Sequence, residues 1–181
     1  MNRIDFDLDR YIAERKERID DYLKQNVRLP SEFARLKEAC EYALFPGGKR
    51  IRPILTIASC EAVGGDVASV MPFACAIELI HTYSLIHDDL PAIDNDELRR
   101  GKPTVHVAFG EAIAILAGDA LLTEAFRLMS DVGLWEDVYH HEALEVINLI
   151  ARCAGIRGMV GGQSLDVLWE GKDVDEQTVW Q

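Results

Sequence analysis

An almost wholly apolar run from Met71 to Ile86 ends directly in His87-Asp88-Asp89-Leu90-Pro91-Ala92-Ile93-Asp94-Asn95-Asp96-Glu97-Leu98-Arg99-Arg100-Gly101. Phe73, Ala76, Ile77, Ile80 and Ser84 recur at helical spacing, so the run predicts a helix that carries Asp88 and Asp89 at its C-terminal end. The macrodipole is negative at that end, and two carboxylates placed there point to a use other than stability. Five carboxylates fall within ten residues, and two arginines follow at once. At ~4 Å two ionised carboxylates repel by roughly 4 kcal/mol at an effective dielectric of about 20, a strain that a hard divalent cation relieves. Pro91 interrupts the helix, which lets Asp94 return over the mouth that Asp88 faces; six residues along a straight helix point elsewhere. Magnesium suits such a site better than calcium, because the spacing is not that of an EF-hand loop and its glycine is missing. A solvated acidic turn, with Asp94 or Asp96 capping a helix, also fits this segment taken alone.

Helical periodicity extends through nearly the whole chain, and no strand is needed to account for it. Helices are expected at about 7–26, 31–44, 52–63, 68–88, 109–117, 119–132, 137–154 and 159–168. Breakers at Pro30, Pro46-Gly47-Gly48, Gly64-Gly65, Gly101-Pro103, Gly133 and Gly171 leave short loops, so neighbouring helices should run antiparallel in an all-α bundle. With 181 residues and 49% apolar content, residues 1–181 read as one domain. A chain of that size buries around 70% of its unfolded surface. There is no tandem repeat.

A net charge of −12 argues against nucleic acid and anionic membranes as partners. The opening Met1-Asn2-Arg3-Ile4-Asp5-Phe6-Asp7 lacks the apolar core of a signal peptide, and Val107 to Leu122 is broken by Glu111 and Asp119, so no stable membrane insertion is expected. Cys40, Cys60, Cys75 and Cys153 show no paired spacing and sit in apolar patterns, which predicts reduced core thiols and a cytoplasmic location. His140-His141 near Glu142 and Glu145 reads as an exposed polar helix face rather than a metal site.

A second constellation lies upstream. Phe45-Pro46-Gly47-Gly48-Lys49-Arg50-Ile51-Arg52-Pro53 feeds three cations into the first turn of a helix, where they oppose the dipole. Free backbone N–H groups, a positive helix end and Lys49, Arg50 and Arg52 together make a cradle for a phosphate or diphosphate. The plainer alternative is a glycine C-cap followed by exposed basic residues and an early helical proline. His81 sits seven residues before Asp88 on nearly the same helix face, where it can donate to the cradled anion or serve as a core histidine. His87 reads as structural.

Taken together and in order, these segments resemble the bacterial-type trans-prenyl diphosphate synthases, most of all the farnesyl diphosphate synthases (geranyltranstransferases), over essentially the whole chain. The matching segments are Gly-Gly-Lys-Arg-Ile-Arg-Pro at 47–53, the stretch from Glu78 to Gly101 continued through Lys-Pro-Thr-Val-His, and Gly161-Gly162-Gln163-Ser164-Leu165-Asp166. The resemblance implies an isoprenoid-synthase helical bundle that acts as a homodimer with Mg2+. It implies that Gly48, Lys49, Arg52 and His81, helped by Arg100, bind isopentenyl diphosphate. Asp88 and Asp94 would hold magnesium against an allylic diphosphate, with Asp89 supporting that shell and Arg99 contacting the diphosphate. Gln163 would lie beside the allylic substrate, flanked by Asp166. Bulk at Tyr83 and Ser84, five and four residues before Asp88, would close the tunnel for the growing product at fifteen carbons.

Family members also carry a lysine-threonine segment and a second aspartate-rich motif, absent from these 181 residues. Asp173, Asp175 and Glu176 read as a polar turn and the start of a helix cut off at Trp180-Gln181. The expectation is therefore a chain truncated before that motif, weak or inactive alone, with apolar surface exposed where further helices would pack. A non-catalytic partner subunit and a class I terpene cyclase are the alternatives, although a cyclase has no need of a second diphosphate cradle.

Overall fold

The computed structural model describes residues 6–45, 48–136 and 138–176. Pro46 and Gly47 of the glycine turn, Asp137 at the expected start of a helix, and Trp180-Gln181 lie outside the described residues, as does Met1 to Asp5.

Eight α-helices carry the fold among the described residues: α1 Leu8–Asn26, α2 Ala34–Leu44, α3 Ile51–Ala62, α4 Val67–Asp88, α5 Val105–Phe109, α6 Glu111–Ser130, α7 His140–Ala154 and α8 Met159–Trp169. The protein is all-α apart from one short hairpin. Helix α1 starts where the Asp7 carboxylate accepts from the Arg10 N–H at 2.9 Å, and α4 starts where Asp66 accepts from Ala68 and Ser69 at 2.8 and 3.2 Å. Both caps satisfy N–H groups that a helix leaves orphaned.

Helix α4 is apolar on every side because it runs through the middle of the bundle. It packs most extensively on α6 and then on α3, while α2 closes over α6. By length and composition alone α4 would suffice to cross a membrane, yet most of it is buried among its neighbours. Leu79 and Ile86 on α4 and Leu121 and Leu128 on α6 are fully buried. Each stabilises the fold by about 1.5–3 kcal/mol, so truncating one to alanine would cost roughly 2–5 kcal/mol.

Three features depart from the sequence expectation. The helices expected at 109–117 and 119–132 are one helix, α6, running unbroken through Gly118. Gly118 is there for close packing, not as a break: a Cβ on it would lie 2.1 Å from His87 Nε2. Residues 105–108, expected as loop, join Phe109 in a short helix, α5. An antiparallel hairpin, β1 Leu98–Arg99 and β2 Lys102–Pro103, stands where no strand was expected, with Arg99 opposite Lys102. Its turn residues Arg100 and Gly101 both take positive φ, 53° and 77°, the type I′ geometry that matches strand twist.

Cys40 and Cys75 are buried as expected, but Cys153 is exposed on α7, a correction to the reading of all four as core thiols. The apolar pattern around it is real, yet nothing among the described residues covers that face. Leu144, Leu149, Ile156, Val160 and Leu168 on and between α7 and α8 are likewise 49–86% exposed. His140 and His141 lie on an exposed face beside Trp135 and Tyr139, and no group of three or more metal-ligating side chains is assembled among the described residues.

Candidate active site

The C-terminal end of α4 builds the acidic rim. Leu90 N–H donates to His87 O at 3.1 Å, Asn95 N–H to Leu90 O at 3.1 Å, and Asp94 N–H to Asp88 O at 2.9 Å. The Pro91–Asp94 turn thereby folds back until the backbones of Asp88 and Asp94 touch. Burial in the first place, and the Asp94 charge in the second, hold the Asp88 carboxyl above its ordinary range. Asp94 itself is exposed.

The neighbouring Asp89 faces the other way. It is 3% exposed, and its two oxygens accept from Arg99 Nε at 2.9 and 3.0 Å and from the terminal Nη2 at 2.6 Å. The hairpin delivers Arg99 to this clamp, since β1 follows the acidic turn directly. The same turn swings Arg100 over the loop before α3. Gly48 is buried there, and a Cβ on it would stand 3.2 Å from the Arg100 guanidinium, so the absent side chain leaves room for that cation.

Arg50 does not serve the cradle in which its position places it. It is 3% exposed, with φ 52° at the head of α3, and its guanidinium points inward. Nε donates to Asp20 at 2.8 Å, Nη1 to Glu78 at 2.8 Å and Nη2 to the Leu44 carbonyl at 2.6 Å. These bonds occupy it with the protein itself, which leaves Lys49, Arg52 and Arg100 as the outward cations. Glu78 is the partner that sequence reading missed. A single acid in an otherwise apolar helix is the signal, because a buried charge requires a partner.

Two clefts flank α4. The smaller, about 140 Å3, is lined by Gly48, Glu78, His81, Asp89, Arg99 and Arg100, with Tyr42, Lys102 and Thr104 also on its wall. The larger, about 900 Å3, runs between α4 and the α7–α8 pair and brings together Arg52, His81, Tyr83, Ser84, Asp88 and Gln163. Its remaining wall is mainly apolar, from Ile77, Ile80, Ile93, Ile150, Met159 and Val160. Lys49, Asp94 and Asp166 are exposed and border neither cleft.

His81 borders both clefts. Burial first, then Arg52, and further Arg100 and Arg99, push its imidazole below its ordinary range, partly offset by Glu78. It is therefore a neutral donor set among cations, a place that an anion would stabilise. Asp88 and Asp94 are hard oxygen donors on one turn, the ligand type that magnesium takes.

An all-helical bundle with carboxylates and cations gathered about one central helix defines the class of protein. The sequence pattern of the polyprenyl synthetase family matches residues 33–180, and the chain belongs to that family. It is 49% identical over 165 residues to a farnesyl diphosphate synthase of Geobacillus stearothermophilus, covering 91% of this chain and 55% of that protein. It is 46% identical to the heterodimeric geranylgeranyl pyrophosphate synthase large subunit 1 of Arabidopsis thaliana, over 94% of this chain and 46% of that one. The fold matches the crystal structure of an FPP/GFPP synthase from Zymomonas mobilis with a TM-score of 0.87 and 43% identity, over 95% of this chain and 62% of that structure. This chain thus spans about half the length of the curated relatives it matches. Relatives of both product lengths match it, so similarity fixes the prenyl synthase family and not the length of the product.

Proposed function

We propose that the protein condenses isopentenyl diphosphate with an allylic diphosphate, dimethylallyl or geranyl, as a trans-prenyltransferase. The observation that carries this reading is His81 on the wall of both clefts, with Arg52 and Asp88 beside it in the larger and Arg99 and Arg100 in the smaller, so that the residues assigned to the two diphosphates meet around one imidazole. Elongation needs two diphosphates side by side, and few other reactions do.

In this reading Gly48, Lys49, Arg52, His81 and Arg100 hold isopentenyl diphosphate, and Gly48 contributes by leaving room for Arg100. Asp88 and Asp94 would hold Mg2+, which when bound would supply charge to neutralise the leaving diphosphate. Asp89 sets Arg99 toward that diphosphate, and Gln163 flanks the allylic chain. When the allylic C–O bond breaks, the apolar walls of the larger cleft keep water from the cation. The double bond of isopentenyl diphosphate forms the new C–C bond, and the proton lost passes to the departed diphosphate. Positioning and preorganised charge do most of the catalysis.

A farnesyl product is the length we propose, supported by Tyr83, which is 6% exposed in the cleft wall beside Ser84. A homodimer in the cytoplasm completes the proposal. Exposed Val107, Ile115 and Leu116 on α5 and α6 and the free thiols Cys40 and Cys75 support it.

The test is incubation with Mg2+, geranyl diphosphate and labelled isopentenyl diphosphate. A product extended by one unit supports the reading, and a hydrocarbon from the allylic substrate alone points to a cyclase. No turnover together with no binding of either diphosphate overturns it.

A further inference from the structure

We propose that His87, seated in a notch of α6 made by Gly118, is a specificity-determining residue: it fixes the Tyr83 ring and so sets the longest prenyl chain that the larger cleft accepts. The proposal rests on the reading above and deepens it.

His87 Nε2 lies 3.1 Å from the Ile115 carbonyl of α6. A carbonyl can only accept, so Nε2 carries the proton and donates. The bond ties the last turn of α4 to α6. Tyr83, one turn earlier on α4, meets this imidazole edge to face, with ring centroids 5.8 Å apart and planes at 77°. Both rings border the large cleft, and Tyr83 is 6% exposed, so its ring has little room except against His87 or into the cleft. The seat exists only because position 118 has no side chain: a Cβ there would stand 2.1 Å from Nε2 and 2.5 Å from Cδ2.

Two substitutions follow, with opposite signs. His87→Ala removes the support and opens space behind Tyr83, which deepens the cleft. Gly118→Ala suits a helix better than glycine, but it drives the imidazole off its seat and toward the cleft, which shortens it. The readout is the ratio of affinities for geranylgeranyl and geranyl S-thiolodiphosphate with Mg2+, measured by calorimetry on the full chain, so that no turnover is required. Circular dichroism establishes that each variant is folded.

The ratio rises about ten-fold in His87→Ala, falls about three-fold in Gly118→Ala, and returns near the original value in His87→Gln, whose amide can still donate to Ile115. Ratios unchanged in folded variants, or both shifted in one direction, overturn the proposal and leave the function standing. If His87→Ala does not fold, Gly118→Ala decides alone. Failure of the unsubstituted chain to bind either analogue overturns the functional reading, and this proposal with it.

Discussion

Arg50 and Glu78 meet at 2.8 Å in the interior of the bundle, both less than 5% exposed, and join the head of α3 to the middle of α4. The pair holds the basic loop and the His81 helix in register.

Removing Arg50 should therefore cost stability, while removing its outward neighbour should cost ligand. Arg50→Ala leaves Glu78 buried without its guanidinium and should destabilise the protein by about 3–5 kcal/mol in urea unfolding. Arg52→Ala, at an exposed position, should stay within about 0.5 kcal/mol and weaken pyrophosphate binding instead.

In the proposed function Asp88 trades stability for metal binding, with a definite sign. Its folded-state pKa is raised, so the carboxylate is penalised in the fold, and its contribution is favourable at low pH and lost as pH rises through the folded value. At pH ~7 Asp88→Asn should unfold at higher urea than the unsubstituted chain, with the difference closing below pH ~4. The same variant should lose Mg2+-dependent binding of an allylic diphosphate.

His81 should take up a proton when an anion arrives. Its pKa is lowered in the free protein, so stability is full above the unfolded value and declines as pH falls through about 6.5. A bound diphosphate offsets the surrounding arginines and raises the pKa. Calorimetric heats of pyrophosphate binding near neutral pH should then depend on the buffer's ionisation enthalpy in the direction of proton uptake, and His81→Gln should abolish that dependence.

The Asp89–Arg99 clamp should show as coupling. A double-mutant cycle of Asp89→Asn and Arg99→Gln should return about 1–2 kcal/mol, since the carboxylate is buried but the guanidinium is one-third open to water. Additive effects would show that the bidentate contact is incidental.

Much of this was legible in the residues. The apolar spacing before Asp88 located α4, and Pro91 anticipated the turn that brings the Asp94 backbone back to Asp88, because periodicity and proline act locally; the Asp94 side chain, expected over the mouth that Asp88 faces, is exposed and borders neither cleft. Arg50 misled, since a cation count does not say which guanidinium turns inward; that depends on a left-handed residue and on Glu78, distant in the chain. Gly118 misled for the same reason, as its meaning lies in the imidazole across the helix seam. The hairpin was hidden because Arg100 takes a conformation rare for its residue type.

In the proposed function one helix serves two separate diphosphates. Calorimetric titration with isopentenyl diphosphate, and separately with geranyl S-thiolodiphosphate plus Mg2+, of the unsubstituted chain, Arg52→Ala and Asp88→Asn tests it directly. Arg52→Ala should weaken the first ligand by about ten-fold or more and spare the second, while Asp88→Asn should do the reverse. Equal loss of both ligands in both variants would mean a single shared anion site, and would contradict it.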